Sequence, residues 1–231
     1  MDILEQTKPN KNKWISFLAD GILSGLMLGI GGMVSLSSEN RFLGAFLFSL
    51  GLFCIVQFKY GLFTGKVGYI VNKDLPYVAE TAVTLVGNAL GTLIAALLLR
   101  QVRFFTSTVS TMDVTISDRV QATVSGKIHD NPLSIFILAI FCGILMFTAV
   151  EGSRKCREEQ NFVGSLFVVV MPVMVFIICG FNHCIADMFY YFFAGCPEPS
   201  KAIVYFILAI AGNSVGGMIV PLLKKLSNQP L

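Results

Sequence analysis

His183 is the residue of this sequence with the clearest chemical potential, because it interrupts a long apolar stretch. The run Phe162–Phe181 precedes it, and a second short apolar run, Met188–Gly195, follows the polar insert at 182–187. An ionisable side chain inside an apolar segment of spanning length is usually functional. Desolvation favours its neutral imidazole, whereas an approaching anion favours the imidazolium. Such a histidine could donate a hydrogen bond or a proton to an anion.

Three further polar residues, located in the two polar inserts, could act together with His183. Asn182 precedes the histidine directly, and Asp187 follows four residues later. Asp187 could cap the following half-helix through its carboxylate, or it could face a pore and relay protons. Lys66, in a second polar insert at 59–66, could pair with Asp187, attract anions, or simply extend to solvent.

Thr64 lies in the same insert as Lys66, between the apolar run Phe42–Phe58 and the short run Val67–Val71. Its hydroxyl can both donate and accept a hydrogen bond. Alternatively, it caps the backbone of its own loop. Two apolar runs are thus broken by a polar insert at mid-length. Non-helical backbone at membrane depth is tolerated where it is buried in protein or lines a water-filled cavity.

The composition is that of an integral membrane protein. Hydrophobic residues make up 55% of the 231 residues and charged residues only 13%, about half the usual share in a soluble domain. The six cysteines form no C-x-x-C pair and lie mostly in apolar runs, so we expect no metal site and no cofactor. The 17 basic residues form no long stripe, which argues against a nucleic-acid partner. No catalytic constellation accompanies His183, so we expect no enzyme.

Four further runs have spanning length, which gives six spans in total. They are Trp14–Leu36, Leu75–Leu99, Leu133–Val150 and Lys201–Leu223. We therefore divide the chain into an N-terminal segment (1–13), a six-span domain (14–223) and a tail (224–231). Within the domain, a connection at 100–132 joins a first half (about 14–99) to a second (about 133–223).

The basic residues favour placing both termini in the cytoplasm, since eleven of them fall on that side and six on the other. The eleven are Lys8, Lys11, Lys13, Lys59, Lys66, Lys73, Arg154, Lys155, Arg157, Lys224 and Lys225, and the six are Arg41, Arg100, Arg103, Arg119, Lys127 and Lys201.

The two halves of the domain repeat each other. A Gly-Asn-x-x-Gly stretch occurs in the third span (87–91) and again in the sixth (212–216), and each half carries one broken segment. Three spans repeated in one chain must run in opposite directions, which is the pattern of an inverted repeat. The small residues also predict close packing of helices. The fold class is therefore all-α integral membrane, with helices 2 and 5 broken by pore loops.

In the order and spacing of these motifs, the sequence resembles the formate/nitrite transporter family over nearly its whole length. Leu62-Phe63-Thr64-Gly65 resembles the loop in the second span, and the stretch 181–189 resembles the Glu-His-x-x-Ala-Asn-Met-Phe loop in the fifth. The resemblance implies an aquaporin-like protomer, a homopentamer with one pore in each protomer, and a multi-pass protein of a cell membrane, bacterial inner membranes being typical. It places Thr64 opposite His183.

The resemblance also implies hydrophobic constrictions on either side of the histidine. Residues of this kind exclude hydrated ions, although each could equally be a packing residue. They are Phe48, Leu52, Leu62, Phe63 and Phe176.

Several positions differ from the family motif. Asn182 stands where the motif has glutamate, at a position that is acidic or amide-bearing in the family. Asp187 replaces an asparagine, and Gly143 replaces an asparagine of the fourth span. The family pattern also implies a basic residue between spans four and five, for which Lys155 is the candidate. We expect transport of a small monovalent weak-acid anion (formate, nitrite, hydrosulfide or a short carboxylate), with or without proton donation by His183. The alternative is a channel for small neutral solutes such as water, glycerol, urea or ammonia.

Overall fold

The computed structural model describes residues 12–109 and 113–228. Of the N-terminal segment expected at 1–13, residues 1–11 lie outside the described residues, as do 229–231 of the tail expected at 224–231. The first part of that tail is helical, because the last helix extends to Leu226. Within the described ranges the chain is almost entirely helical. The helices are α1 (Lys13–Ser37), α2 (Arg41–Gln57), α3 (Phe63–Lys66), α4 (Leu75–Leu99), α5 (Ile116–Ile128), α6 (Pro132–Glu158), α7 (Phe162–Cys179), α8 (Cys184–Phe193) and α9 (Pro199–Leu226).

Five of these helices are long and apolar enough to cross a membrane, namely α1, α4, α6, α7 and α9. Helices α2, with 17 residues, and α8, with 10, are apolar but shorter. Many large apolar side chains on the outer faces are exposed, including Leu75, Phe162 and Ile207. A soluble monomer rarely exposes so much apolar surface, whereas lipid solvates it well. The chain is a multi-pass membrane protein.

Close contact between helices is made by glycines at equivalent places in the two halves. A methyl group at Gly91 of α4 would collide with the carbonyl oxygen of Ile22 in α1, and one at Gly216 of α9 with that of Ile140 in α6. Helices α1 and α4 pack together along their length, as do α6 and α9. The predicted role of the small residues in helix packing is confirmed.

Both predicted interruptions are present. Helix α2 ends at Gln57, and after an irregular segment come the single turn α3 and a 3-10 segment, Val67–Asn72. Helix α7 ends at Cys179 and is capped by Gly180, which has a left-handed backbone (φ 71°), and α8 begins at Cys184. Residues 184–187, predicted to lie in the polar insert, are instead the first turn of α8. Within the described residues, only 180–183 separate the two helices.

Two further boundaries differ from those predicted. The fourth span, predicted to end at Val150, continues as helix α6 to Glu158. Its last turns are held by Arg154, which pairs with Glu151 at 2.6 Å and with Glu158 at 2.6 Å, three residues before it and four after it. The segment predicted to be a connection between spans four and five is therefore mostly helix.

The connection at 100–132 is structured in its described part. It contains a short 3-10 turn (Arg103–Thr106), a two-stranded antiparallel hairpin of β1 (Thr108–Val109) and β2 (Val114–Thr115), and α5. Thr115 and Asp118 form a reciprocal capping box that starts α5. Ile116, Val120, Val124 and Ile128 form its buried face. Sequence reasoning predicted no helix here.

Candidate functional site

The centre of the candidate site is a hydrogen bond between the two broken segments. Thr64 Oγ1 and His183 Nε2 are 3.1 Å apart, and both residues are almost completely buried. The backbone N–H of Ala186 donates to His183 Nδ1 at 3.1 Å, so that nitrogen carries no proton. The proton of the neutral ring must therefore sit on Nε2 and point towards Thr64. The expected proximity of Thr64 and His183 is confirmed.

His183 is also the N-cap of α8, since its ring nitrogen accepts the Ala186 N–H. The imidazole therefore caps the N–H of Ala186. The carboxylate of Asp187, in the first turn of α8, in turn contacts the backbone N–H of His183, so the capping role considered for Asp187 stays a prediction.

The carboxylate of Asp187 is held by the side chains of two residues, neither of which was predicted. Lys127 Nζ lies 3.1 Å from Oδ1, and the hydroxyl of Tyr205 donates to Oδ2 at 2.6 Å. Lys127 also donates to Asn182 Oδ1 at 2.8 Å, and Asn182 donates to the carbonyl oxygen of Ile135 at 3.2 Å. Lys127 thus joins Asn182 and Asp187 into one buried network that begins one residue from His183.

Lys66 does not pair with Asp187. Its Nζ lies 4.5 Å from the ring centre of Phe17 and 5.4 Å from that of Tyr77, which are cation–π distances. The predicted basic residue between spans four and five is likewise not the one at the site. Lys155 is in α6, whereas the ammonium beside Asn182 belongs to α5, between the third and fourth spans.

Two sequence patterns indicate helix α5, which carries Lys127, although this helix was not predicted. The Thr-x-x-Asp capping box at 115–118 and the four-residue spacing of Ile116, Val120 and Val124 both indicate an amphipathic helix. Lys127 falls in its last turn. Tyr205, by contrast, lies in an apolar span, and no local pattern separates it from its neighbours.

Two asparagines fix the backbone of the broken segments in equivalent ways. Asn88 of α4 accepts from the N–H of Phe63 at 2.9 Å and donates to the carbonyl of Gly61 at 2.8 Å. Asn213 of α9 accepts from the N–H of Cys184 at 2.9 Å and donates to the carbonyl of Asn182 at 2.8 Å. Each also donates to the carbonyl of a neighbouring helix, at Gly21 and at Ala139 respectively.

Cavities approach the Thr64–His183 pair from two sides. The α5-side cavity has a volume of about 400 Å³, and its lining includes Phe176 and Ala186. The α3-side cavity, of about 180 Å³, is lined by residues that include Leu62 and Gly65. Both cavities therefore reach residues that adjoin or contact the pair.

The two cavities differ in charge. The α5-side cavity is lined by three basic residues, Arg41, Arg119 and Lys127, and two acidic ones, Glu39 and Asp187. The charged residues that line the α3-side cavity are Lys59, Lys66 and Arg157, all basic. Arg41 and Arg119 also donate to the last carbonyls of α7 and α1, so both guanidinium groups are positioned by helix ends.

Three of the predicted constriction residues, Phe48, Leu62 and Phe176, lie near His183 or at a cavity wall. The ring of Phe176 lies 5.6 Å from that of His183 and 5.7 Å from that of Phe48, which it meets edge-on. Leu62 borders the α3-side cavity. Phe48, Leu52 and Phe63 are buried but line neither cavity. The constriction formed by all five predicted residues stays a prediction.

Comparison with known proteins agrees with this arrangement. The sequence model described as formate/nitrite transporter matches residues 4–225, and the chain belongs to this family. It is 25% identical over 194 residues to the formate channel FocA of Haemophilus influenzae, covering 79% of this chain and 67% of that protein. It is 27% identical to the transporter YrhG of Bacillus subtilis, covering 88% and 81%.

A solved structure described as a pentameric formate channel with formate bound has a similar fold. The TM-score is 0.75 at 25% sequence identity, and the match covers 96% of this chain and 99% of the other. These relatives are channels and transporters, not enzymes.

Proposed function

We propose that the chain is a channel or transporter for a small monovalent weak-acid anion such as formate, nitrite, hydrosulfide or a short carboxylate. The observation that carries this proposal is the Thr64–His183 hydrogen bond, buried between two cavities that are both lined by cations. The matched formate channels support the choice of permeant class.

The cavities would concentrate anions at both ends of the path. Three cations without a lining carboxylate make the α3-side cavity the more attractive one. A cleft with low-dielectric walls focuses such a field and raises the local anion concentration. In the α5-side cavity Asp187 offsets the charge of Lys127, so attraction there depends more on Arg41 and Arg119.

Between the cavities the anion would meet the hydroxyl of Thr64. Its oxygen accepts from His183 Nε2–H, so its own proton is free to turn towards a ligand. This hydrogen bond, and one from His183 if the anion displaces Thr64, would replace part of the hydration lost beside Phe48 and Phe176. Desolvation there also favours the neutral acid, which crosses an apolar region at a much lower cost than the anion.

His183 is better suited to donating a hydrogen bond than to donating a proton. An imidazole that gives up its Nε2 proton becomes an anion unless Nδ1 gains a proton. Nδ1 already accepts the Ala186 N–H, so protonation there would break the cap of α8. We therefore propose that the proton which neutralises the permeant comes from water in a cavity.

We further propose six spans in two inverted three-helix repeats, with the boundaries 14–99, 100–132 and 133–223. The equivalent bonds of Asn88 and Asn213, and the matching packing of α1 with α4 and of α6 with α9, support this division. In this arrangement α2 and α3 together form the second span, and α7 and α8 the fifth.

A cell-membrane location with both termini in the cytoplasm is proposed from the eleven-to-six division of basic residues. To test this orientation, a cysteine is added at the C-terminus and Cys179 and Cys196 are replaced by serine. Labelling of the added cysteine by an impermeant reagent in intact cells would show that the C-terminus is outside, which is the opposite orientation.

The function is tested by flux into proteoliposomes. Formate, nitrite, hydrosulfide and lactate are compared with urea and glycerol, using wild-type protein and Thr64→Val. We expect saturable or pH-dependent uptake of one or more weak acids and a clear loss in Thr64→Val. Uptake of urea or glycerol without any weak acid would replace this proposal by the neutral-solute channel.

A further inference from the structure

Two arginines in the last turns of α6 differ in how their guanidinium groups are occupied. Arg154 binds Glu151 with the edge formed by Nε and Nη2, which lie 2.9 and 2.6 Å from the two carboxylate oxygens. Its Nη1 binds Glu158. Arg157, one turn later, lines the α3-side cavity, and within the described part of the chain no carboxylate pairs with it. A guanidinium is always charged in proteins, so Arg157 is a cation without a counter-ion at the cavity wall.

Arg157 is held through a single nitrogen, Nη1. This nitrogen donates to the carbonyl oxygen of Val56 at 3.2 Å and to the hydroxyl oxygen of Ser153 at 3.0 Å. The Val56 carbonyl is one of the end carbonyls of α2, and the N–H of Tyr60 that would continue the helix donates to Ile55 instead. Both hydrogens of Nη1 are therefore used.

Ser153 is itself fixed by neighbouring helices. Its Oγ lies 2.7 Å from the Oγ of Ser165 in α7, and both serines are buried. The side-chain amide of Gln57, at the end of α2, donates to Ser165 at 3.0 Å. A chain of hydrogen bonds thus joins α2, α6 and α7 and ends on Arg157. A cation held in this way loses less conformational entropy on binding a ligand than a free side chain does.

These bonds leave one edge of the Arg157 guanidinium free. The group has five N–H donors, of which Nη1 supplies two. The other three, on Nε and Nη2, have no partner among the described residues. The Nε–H and the adjacent Nη2–H are parallel and match the spacing of two carboxylate oxygens. In Arg154 the same edge holds the carboxylate of Glu151, which shows the contact that Arg157 lacks.

We propose that the Nε–Nη2 edge of Arg157 is an entry site of the α3-side cavity that binds planar anions with two oxygens, namely formate, nitrite and short carboxylates. This inference rests on the proposed function and narrows its permeant class. Hydrosulfide has a single acceptor atom and can fill only one arm of the fork, so it is the disfavoured member of the class.

The size and position of the cavity suit this role. Its volume of about 180 Å³ admits a small anion with a few waters, each of which occupies about 30 Å³ in the liquid. Lys59 and Lys66 add positive charge to the same wall. Gly65, the residue after Thr64, also lines it, so an anion bound to Arg157 lies in the cavity that leads to the Thr64–His183 pair.

The fork is separated from mere charge by Arg157→Lys, which keeps the cation but offers no parallel pair of donors. Formate influx is measured in inside-out vesicles, whose exterior is the α3 side in the proposed orientation. We expect the KM to rise about tenfold, for the loss of one charge-assisted hydrogen bond, with an unchanged maximal rate. Lys59→Gln is the matched control. It removes a charge from the same cavity without touching the fork, and should raise the KM less than Arg157→Lys does.

Binding can also be tested without transport, by chemical modification of the full-length protein with phenylglyoxal, an arginine reagent. Peptide mass spectrometry gives the rate of modification at Arg157. Formate at about ten times its KM should slow this rate about tenfold by mass action, whereas chloride at the same concentration should have little effect. Chloride carries the same charge but is spherical.

Several results would overturn the entry site. They are an unchanged KM in Arg157→Lys, an equal rise in Lys59→Gln, a lower maximal rate without a change in KM, and equal protection of Arg157 by formate and chloride. If Arg157→Lys does not assemble, Ser153→Ala removes one of the two acceptors that hold Nη1. It should raise the KM in the same direction by a smaller factor, and an unchanged KM there would count against the site.

Failure of this site and failure of the proposed function give different results. Wild-type uptake of hydrosulfide without formate, nitrite or lactate would overturn the entry site and leave a weak-acid channel standing. Absence of any weak-acid uptake by wild type would remove the proposed function, while protection from phenylglyoxal would still decide whether Arg157 binds formate.

Discussion

The amide and the carboxylate beside His183 occur in an order opposite to the family pattern that the sequence resembles. Here Asn182 precedes the histidine and Asp187 follows it by four residues. The structure gives a reason why the exchange is tolerated. Both side chains contact the same ammonium group, Lys127 Nζ, so their order changes little in the balance of charge around it.

Substitutions of His183 should separate its two roles. His183→Phe removes the Nε2 donor to Thr64 and the Nδ1 acceptor for Ala186, so we expect loss of weak-acid flux together with about 1 kcal/mol of stability from the lost cap. His183→Asn retains both a donor and a good N-cap, and should keep near-normal stability with partial flux. Flux and thermal unfolding are measured for both variants. Unchanged flux in well-assembled His183→Phe would make His183 a packing residue.

Lys127 and Asp187 should be strongly coupled. Lys127→Met leaves a carboxylate that is only 5% exposed without its cation, which typically costs about 3–5 kcal/mol. The double variant Lys127→Met/Asp187→Asn removes both charges and should recover most of that loss. The free energy of unfolding of the two single variants and the double variant gives the coupling energy directly. Additive effects would show that the pair does not interact in the assembled protein.

At the scale of elements, the two broken segments are held in place by helices α4 and α9, which do not contain Thr64 or His183. Helix α4 supplies Asn88 to the loop before α3, and α9 supplies Asn213 to the loop before α8. A loop interrupting a span exposes backbone groups that lipid cannot satisfy, and each asparagine bonds two of them while also holding a carbonyl of a neighbouring helix. The Thr64–His183 distance therefore depends on the position of α4 relative to α9.

Replacing one of these asparagines should damage the site from a distance. Asn213→Leu leaves the Cys184 N–H and the carbonyls of Asn182 and Ala139 without this partner. At about 1–3 kcal/mol for a buried polar group left unsatisfied, we expect severe destabilisation and loss of flux. Ser214→Ala is the control, because Ser214 bonds only within its own helix, to Ile210, and should change stability by less than about 0.5 kcal/mol. Thermal unfolding of both variants provides the comparison. Equal melting temperatures would show that Asn213 does not support the loop.

For the whole molecule, the matched pentameric channel and the extensive apolar outer surface support a homopentamer with one pore in each subunit. Native mass spectrometry from mild detergent should therefore show an assembly of five 25.2 kDa subunits. A stable monomer or trimer as the main species would contradict this assembly.

The sequence alone determined the membrane class, the approximate spans and the two interruptions, whereas the family resemblance placed Thr64 opposite His183. The first three features follow from local signals, since an apolar run of spanning length and a polar insert within it can be recognised without knowing what packs beside them. The helix ends were harder to predict. Helix α6 continues past its apolar run because Arg154 pairs with Glu151 and Glu158.

Only the tertiary structure decided which residues meet around His183. Lys127 lies 55 residues from Asn182 and 60 from Asp187 in the chain, and Tyr205 reaches Asp187 from another helix. The sequence suggested Lys66 as the cation for Asp187, and no local pattern indicated Lys127 in its place. The choice was made by packing, because α5 and α8 lie together while Lys66 is held over Phe17. The position of a side chain on a helix is a local property, but the identity of its partner depends on how the helices pack.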